Sequence, residues 1–182
     1  MKKIMILAFV FLMIFATSSK STKPETYLFP LESPVIVRGK ILCTAWYSRV
    51  RTENGRSYQY KALNYPAPYG SRILSPFGGT ITKHEIQGYE GANLTIKLDD
   101  GVEVKICHLH QYQKLSGRVE RGEVIGYVGT SGRTTGPHLR VVFEKNGERF
   151  FVNAETFGMK YDDFYYPPGE SDLKFAQFYK QP

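Results

Sequence analysis

The chain has 182 residues, with 24 Lys or Arg and 17 Asp or Glu, which gives a formal net charge of +7. This length suits one domain with appendages and is enough to bury a hydrophobic core. The positive charges do not cluster and no nucleic-acid motif is present, which argues against a nucleic-acid partner. The modest basic excess either favours anionic envelope polymers and lipid surfaces or is ordinary solubility charge.

The N-terminus has the pattern of a secretory leader. Lys2 and Lys3 precede an unbroken apolar run over residues 4–16, which is short for a bilayer span and typical of a signal-peptide core. We predict that residues 1–18 are a signal peptide and that the protein is exported, to the periplasm or outside the cell. Cleavage after Ser18 would remove two lysines and lower the net charge from +7 to +5. The alternative is an uncleaved leader, which would be the protein's only membrane contact.

The rest of the chain divides into three parts. Residues 19–34 are rich in Ser, Thr, Lys and Pro and have no hydrophobic period, which predicts a linker. Residues 35–158 contain alternating runs typical of strands and no long helical period, so the predicted domain is all-β. The third part, residues 159–182, is an aromatic C-terminal extension.

Pairs of residues that favour tight turns lie between the strand-like runs. Asn54-Gly55 follows the first run of the domain. Asp100-Gly101 and Asn146-Gly147 each join two alternating runs, and both pairs are typical of two-residue type I′ hairpins.

The segment GEVIGYVGTSGRTTGPHLRVVFE, residues 122–144, predicts a strand, a glycine-rich loop and a second strand. On the second strand His138 and Arg140 are two residues apart and therefore project from one face, while Leu139 and Val141 project from the other. We expect one face to pack in the core and the other to form a site.

This segment resembles the glycine-rich loop and H-x-H strand of the lysostaphin/LytM-type zinc endopeptidases, whose pattern is GxxGxTGxSTGPHLHFE and which cut peptide bonds in bacterial peptidoglycan. In addition, PAPYGSRILSPFGGTITK is similar to the family's AAPxGTPVYAPADGTV, and VNAETF is similar to its VNPxxYL ending. The resemblance runs from about residue 60 to residue 157. It implies a compact antiparallel β fold with a groove across one sheet.

The resemblance also identifies the positions of the family's zinc ligands, an H-x-x-x-D pair and the second His of H-x-H. In this chain Tyr60, Asn64 and Arg140 stand there. A tyrosine hydroxyl and a neutral amide are poor zinc ligands, and a guanidinium has no lone pair with which to coordinate. We therefore predict a pseudo-peptidase with no bound metal and no other cofactor.

Two histidines match the family's catalytic histidines. His108, in CHLH, and His138, in GPHLR, are predicted to be hydrogen-bonded groove residues with no catalytic role. A displaced metal site is the alternative, because His108 and His110 share one strand face. His138 would then be a third ligand, and His84 is the only other imidazole in the chain.

These observations predict a non-catalytic envelope protein whose groove binds rather than cuts. The expected partner is a peptidoglycan stem peptide or an envelope protein such as an amidase, and the expected role is regulation of a peptidoglycan hydrolase. The alternatives are a zinc metallopeptidase with a rebuilt metal site and a structural component of an envelope assembly. The predicted groove residues are Tyr60, Asn64, His108, His138 and Arg140.

Arg140 is expected to place its guanidinium where the family holds zinc, with Tyr60 and Asn64 as hydrogen-bond neighbours. There it would either bind a carboxylate of the ligand or partner, or fill the cavity and pair with an acid such as Glu144.

Cys43 and Cys107 both lie in strand-like segments of a protein expected in an oxidising compartment. They are interpreted either as a disulfide or as two separate buried thiols.

In the C-terminal extension, Phe175, Phe178 and Tyr179 have helical spacing. This stripe is expected either to dock on its own domain or to form an exposed aromatic surface for a partner or a glycan.

Overall fold

The computed structural model describes residues 27–44, 50–53, 56–59, 62–150 and 157–165. Within these ranges the chain forms fifteen β-strands, two short 3-10 helices at Gly88–Glu90 and Tyr161–Asp163, and no α-helix. The all-β prediction is therefore confirmed. The predicted signal peptide, Asn54-Gly55, Tyr60 and the aromatic stripe of the extension lie outside the described residues. Among the residues described, no helix is long and apolar enough to span a membrane.

The strands follow one another closely along the chain. In chain order they are β1 (Ile36–Val37), β2 (Lys40–Leu42), β3 (Val50–Glu53), β4 (Arg56–Gln59), β5 (Leu63–Pro66), β6 (Arg72–Leu74), β7 (Gly79–Gln87), β8 (Gly91–Leu98), β9 (Glu103–Cys107), β10 (Leu109–Tyr112), β11 (Gly117–Val119), β12 (Val124–Val128), β13 (His138–Lys145), β14 (Glu148–Phe150) and β15 (Phe164–Tyr165).

The largest sheet has the order β11-β7-β8-β9-β13-β14, and β5 pairs with the first half of β13. A smaller sheet, β10-β12-β6, shares one buried hydrophobic cluster with it. On β13, Leu139, Val141 and Phe143 lie in this cluster, at 0–1% exposure. His138 and Arg140 alternate with them and are half-buried. The predicted division of this strand into a core face and a second face is confirmed.

The hairpin predicted at Asn146-Gly147 is confirmed, because both residues have positive φ and β13 pairs with β14 across them.

The prediction of a two-residue turn at Asp100-Gly101 is wrong. There the Leu98 N–H donates to Val102 O at 2.7 Å, which leaves a three-residue loop with Gly101 at φ 83°. The Asp100 carboxylate accepts from the Val102 N–H at 3.0 Å and so closes the longer loop.

The folded body begins before the predicted boundary at residue 35. Tyr27 and Leu31 are buried in the core cluster, and Leu31 bridges to Ile73. The linker prediction is therefore wrong for residues 27–34. The body also continues past residue 158, since Phe164 is buried and β15 pairs with β2.

This N-terminal segment covers an otherwise open strand edge. The Val35 N–H donates to Pro66 O at 2.9 Å, and the Thr44 N–H donates to Asn64 O at 2.9 Å. Both acceptors lie on β5, whose other edge pairs with β13. β5 therefore has hydrogen-bond partners along both of its edges, which protects it as an edge strand.

The disulfide interpretation is wrong, because Cys43 and Cys107 are separate buried thiols. Cys107 lies directly opposite Arg140, Arg140 lies opposite Asn64, and the Asn64 carbonyl bonds to the residue after Cys43. Two strands therefore separate the cysteines, which at about 4.8 Å per strand is well beyond the reach of a disulfide.

The core position of the N-terminal segment gives a stability prediction. We expect Leu31→Ala to lower the free energy of unfolding by about 2–5 kcal/mol, because it leaves a cavity in the core. Ile36→Ala, at a residue 55% exposed, is the matched control and should change it by less than about 0.5 kcal/mol. Urea unfolding measures both. Equal effects of the two substitutions would contradict the assignment of Leu31 to the core.

The cysteines give a second prediction. Alkylation of unfolded protein without reductant should modify both thiols, and alkylation of native protein should be slow because both are buried. Intact-mass spectrometry measures the added groups. A peptide linking Cys43 to Cys107 after non-reducing digestion would contradict the strand order.

Candidate functional site

The face of the large sheet opposite the core carries the predicted groove residues. Residues directly opposite one another in an antiparallel ladder project from the same face. Arg140 is opposite both Asn64 on β5 and Cys107 on β9, and His138 is opposite Pro66. Asn64, Arg140 and Cys107 therefore form one row across three strands, with His138 beside it. We call these four residues, together with His108, the groove floor.

His108 is fixed by its backbone and by its ring. It is 2% exposed and has φ 65°, a backbone conformation that residues other than Gly rarely adopt. Its N–H donates to Glu90 O at 3.0 Å, and its carbonyl accepts from the Gly129 N–H at 2.9 Å. Its ring Nδ1 is 2.8 Å from Ser131 O. These bonds offset the unfavourable backbone conformation and fix the direction of the imidazole.

His138 is held in the same way, with its Nδ1 2.8 Å from Gly136 O. The centroids of the His108 and His138 rings are 4.7 Å apart, and the rings are tilted by 55°. Because a carbonyl oxygen can only accept a hydrogen bond, the ring nitrogen facing it must donate, so both neutral histidines carry their proton on Nδ1. Each Nε2 then has a lone pair, so the floor contains two adjacent hydrogen-bond acceptors.

Burial keeps both imidazoles neutral. It lowers the pKa of His108 below its ordinary value, an effect that the hydrogen bond to Ser131 O partly offsets and the nearby His138 reinforces. Burial likewise lowers the pKa of His138, against a smaller opposing effect of the bond to Gly136 O. Near neutral pH neither ring is a cation.

The glycine-rich loop reaches this position through a backbone contact that excludes side chains. A Cβ on Gly91 would lie 2.3 Å from the Ser131 carbonyl carbon, and one on Gly132 would lie 2.5 Å from Gly91 N. The Ser131 Oγ accepts from the Ala92 N–H at 2.9 Å, and the Arg133 N–H donates to Tyr89 O at 3.0 Å. The loop and the 3-10 turn Gly88–Glu90 are thereby joined, which places the Ser131 carbonyl against His108.

The residues at the family's zinc positions do not fit the metal. Arg140 occupies the middle of the row, and its guanidinium stays protonated and offers no lone pair. Asn64, a neutral amide, is a weak ligand for zinc. Burial, and to a lesser extent the Glu90 carboxylate, raise the pKa of the Cys107 thiol, so it does not supply a thiolate. Tyr60 lies outside the described residues.

The displaced metal site is only partly assembled. His108 and His138 are adjacent, but the Nδ1 of His110 is 2.5 Å from the Tyr69 hydroxyl and its side chain is exposed. His84 bonds instead to Leu115 O at 3.1 Å. Within the described residues no group of three His, Cys, Asp or Glu side chains is arranged to hold a metal ion.

Acidic residues near the floor are engaged with bases other than Arg140. Glu90 forms an ion pair with Lys105. Glu144, considered from the sequence as a partner for Arg140, lies 3.9 Å from Arg149. Lys105 lies on β9 and Glu144 on β13, two of the three strands that form the row.

Sequence reasoning missed two residues that hold the site together, Ser131 and Glu90. Each acts through its backbone carbonyl on His108, so its side-chain type gives no direct sign of the role. The available signal was the glycine next to each of them, since Gly91 and Gly132 mark a close approach of two backbones.

The lowered histidine pKa values predict how stability changes with pH. The ordinary value is 6.5, and the folded state keeps both rings neutral to a lower pH than the unfolded chain does. Above pH 6.5 both histidines are mostly neutral in either state and contribute no pH dependence to the free energy of unfolding. As the pH falls below 6.5, the unfolded state takes up protons first. We therefore expect the free energy of unfolding to fall as the pH drops below about 6.5.

Denaturant unfolding across that range measures this effect. The double variant His108→Gln, His138→Gln should flatten the slope, and His110→Gln, at an exposed ring, should keep it. A slope that survives the double variant would assign the effect to other groups.

Comparison with known proteins identifies sequence relatives of this chain. The sequence profile described as Peptidase family M23 matches residues 58–151. The DD-carboxypeptidase/endopeptidase Mpg of Neisseria meningitidis is 37% identical over 89 residues, which cover 49% of this chain and 21% of that protein. The peptidoglycan DD-endopeptidase ShyC of Vibrio cholerae is 31% identical over 100 residues, covering 54% of this chain and 23% of that protein. The chain thus spans about a fifth of the length of these curated relatives.

The fold is shared with solved structures as well. A zinc-containing peptidase from Vibrio cholerae superposes with a TM-score of 0.60 at 20% identity, covering 75% of this chain and 40% of that one. This likeness accounts for the antiparallel β architecture. Because the profile matches 94 of the 182 residues, the chain belongs to peptidase family M23.

Proposed function

We propose that this chain is a non-catalytic M23 domain, exported to the bacterial envelope, whose groove binds a peptidoglycan stem peptide or an envelope protein. One observation supports this most directly, the place of Arg140 in the row between Asn64 and Cys107. A permanent cation there replaces a neutral ligand in the middle of the family's metal position. The site has changed from one that would hold a cation to one that would hold an anion.

The chemistry of the floor supports binding over cleavage. Zinc in such a site would act as a Lewis acid on the peptide carbonyl and lower the pKa of an attacking water. Arg140 cannot coordinate the ion and Asn64 is a weak ligand for it, so these two residues do not support that activation. His108 and His138 are neutral and well fixed, and they can accept hydrogen bonds from a bound peptide.

The envelope assignment rests on the relatives and on the predicted leader. The relatives include a peptidoglycan DD-endopeptidase, so the groove descends from a fold used on peptidoglycan peptides. A domain that keeps such a groove and loses its metal ligands is suited to hold a stem peptide or to present the groove to a peptidoglycan hydrolase, such as an amidase, as a regulator.

The first test is metal content and cleavage together. Protein purified without chelator or affinity metal should contain no stoichiometric zinc and should release no peptides from purified peptidoglycan. An active family member, as the positive control, should contain zinc and release peptides. The triple variant Tyr60→His, Asn64→Asp, Arg140→His should gain zinc binding, because it restores the family's ligand set. Elemental analysis measures the metal, and chromatography of released muropeptides measures cleavage.

The contrary result is equally well defined. Zinc at one ion per chain, with peptide release that His138→Ala abolishes, would identify a metallopeptidase with a rebuilt site and would overturn the proposal. A pull-down with insoluble peptidoglycan measures the binding function separately from cleavage.

A further inference from the structure

We infer that the groove floor binds the head group of an unlinked α-amino acid, a carboxylate and an ammonium on the same carbon. The inference rests on the proposed binding function and specifies its ligand. Such a group occurs in a free amino acid and in a peptide whose diamino-acid side chain has both terminal groups unlinked. An ordinary peptide C-terminus has the carboxylate but lacks the ammonium.

The carboxylate half of the site is Arg140. A guanidinium has five N–H donors in a planar fork, so a partner inside the fold still leaves donors for a ligand. Arg140 is half-buried, and in such a place its attraction for a carboxylate is screened less than at the surface. Two acidic residues near the floor, Glu90 and Glu144, form ion pairs with Lys105 and Arg149.

The ammonium half is formed by acceptors. Asn64 Oδ1 is buried and has no hydrogen-bond partner among the described residues, although Asn64 stands directly opposite Arg140. A buried acceptor without a partner costs about 1–3 kcal/mol and calls for a donor. The Nε2 atoms of His108 and His138 are two further acceptors on the same floor, since each Nδ1 is occupied by a carbonyl. An ammonium has three donors, which is the number of these acceptors.

The charge and the acceptors of the floor match the whole head group better than they match a carboxylate alone or an ammonium alone. A carboxylate without an ammonium would leave Asn64 Oδ1 and the two imidazoles without donors. An ammonium without a carboxylate would lie beside the positive charge of Arg140. Facing residues in an antiparallel pair have Cα atoms about 4.5–5.5 Å apart, so Asn64 and Arg140 extend from neighbouring positions on one face, where a ligand with two groups on one carbon can meet both.

A series of four probes tests this inference. Each is one synthetic peptide carrying a diamino-acid side chain, with its head group intact, its carboxylate converted to the amide, its amine acetylated, or both groups blocked. Isothermal titration calorimetry with the full chain should show that each single block weakens binding by about tenfold or more. Equal affinity for the intact and amidated probes, or for the intact and acetylated probes, would overturn the inference.

Variants assign each half to its residues. Arg140→Met should remove the difference between the intact and amidated probes, and Asn64→Leu should reduce the difference between the intact and acetylated probes. His110→Asn, at an exposed residue outside the floor, should leave all four affinities unchanged. The probe series on the unmodified chain tests the inference by itself. The inference can therefore still be refuted if a variant fails to fold.

Failure of the inference is distinguishable from failure of the proposed function. If no probe binds while the chain is still retained by insoluble peptidoglycan, the groove binds its ligand in another way and the inference is wrong. If the chain cleaves the probes in a zinc-dependent manner, the proposed function itself is wrong.

Discussion

The site depends on the contact between two backbones at Gly91 and Gly132. At this distance no side chain fits, and the loop is pressed against the 3-10 turn closely enough for Ser131 to bond both His108 and Ala92. Glu90, at the end of that turn, bonds the His108 backbone from the other side. The position of the imidazole is therefore set by main-chain groups, which remain in place whatever the neighbouring side chains become.

The position of Arg140 is likewise set by the backbone and not by its own side chain. Arg140 alternates with Leu139 and Val141, which are buried in the core and hold the strand in register. The register fixes Arg140 opposite Asn64 and Cys107 regardless of what its side chain does. A substitution on this face alters charge and ligand chemistry, whereas a shift of one residue would expose the core.

The sequence was sufficient where the relevant signal is local. Period-two alternation predicted both faces of β13, and Asn146-Gly147 predicted its hairpin. It was insufficient where the outcome depends on which strands are neighbours. The separation of Cys43 from Cys107 follows from β13 and β5 lying between them, which no local pattern reveals. Tyr27, Phe29 and Leu31 do alternate, but the prolines around them suggested a linker, and only their contacts with Phe143, Tyr65 and Ile73 identify them as core.

The positions of His108 and His138 are also set by main-chain groups. Both Nδ1 atoms are bonded to carbonyls of the glycine-rich loop, so main-chain groups of the protein fix the two rings. The floor is thus preorganised, and a ligand that binds it pays little to order it. Because burial keeps both rings neutral, the only permanent charge in the row belongs, among the described residues, to Arg140. In the proposed binding role, the floor would therefore discriminate between ligands by where they place one negative group relative to their donors.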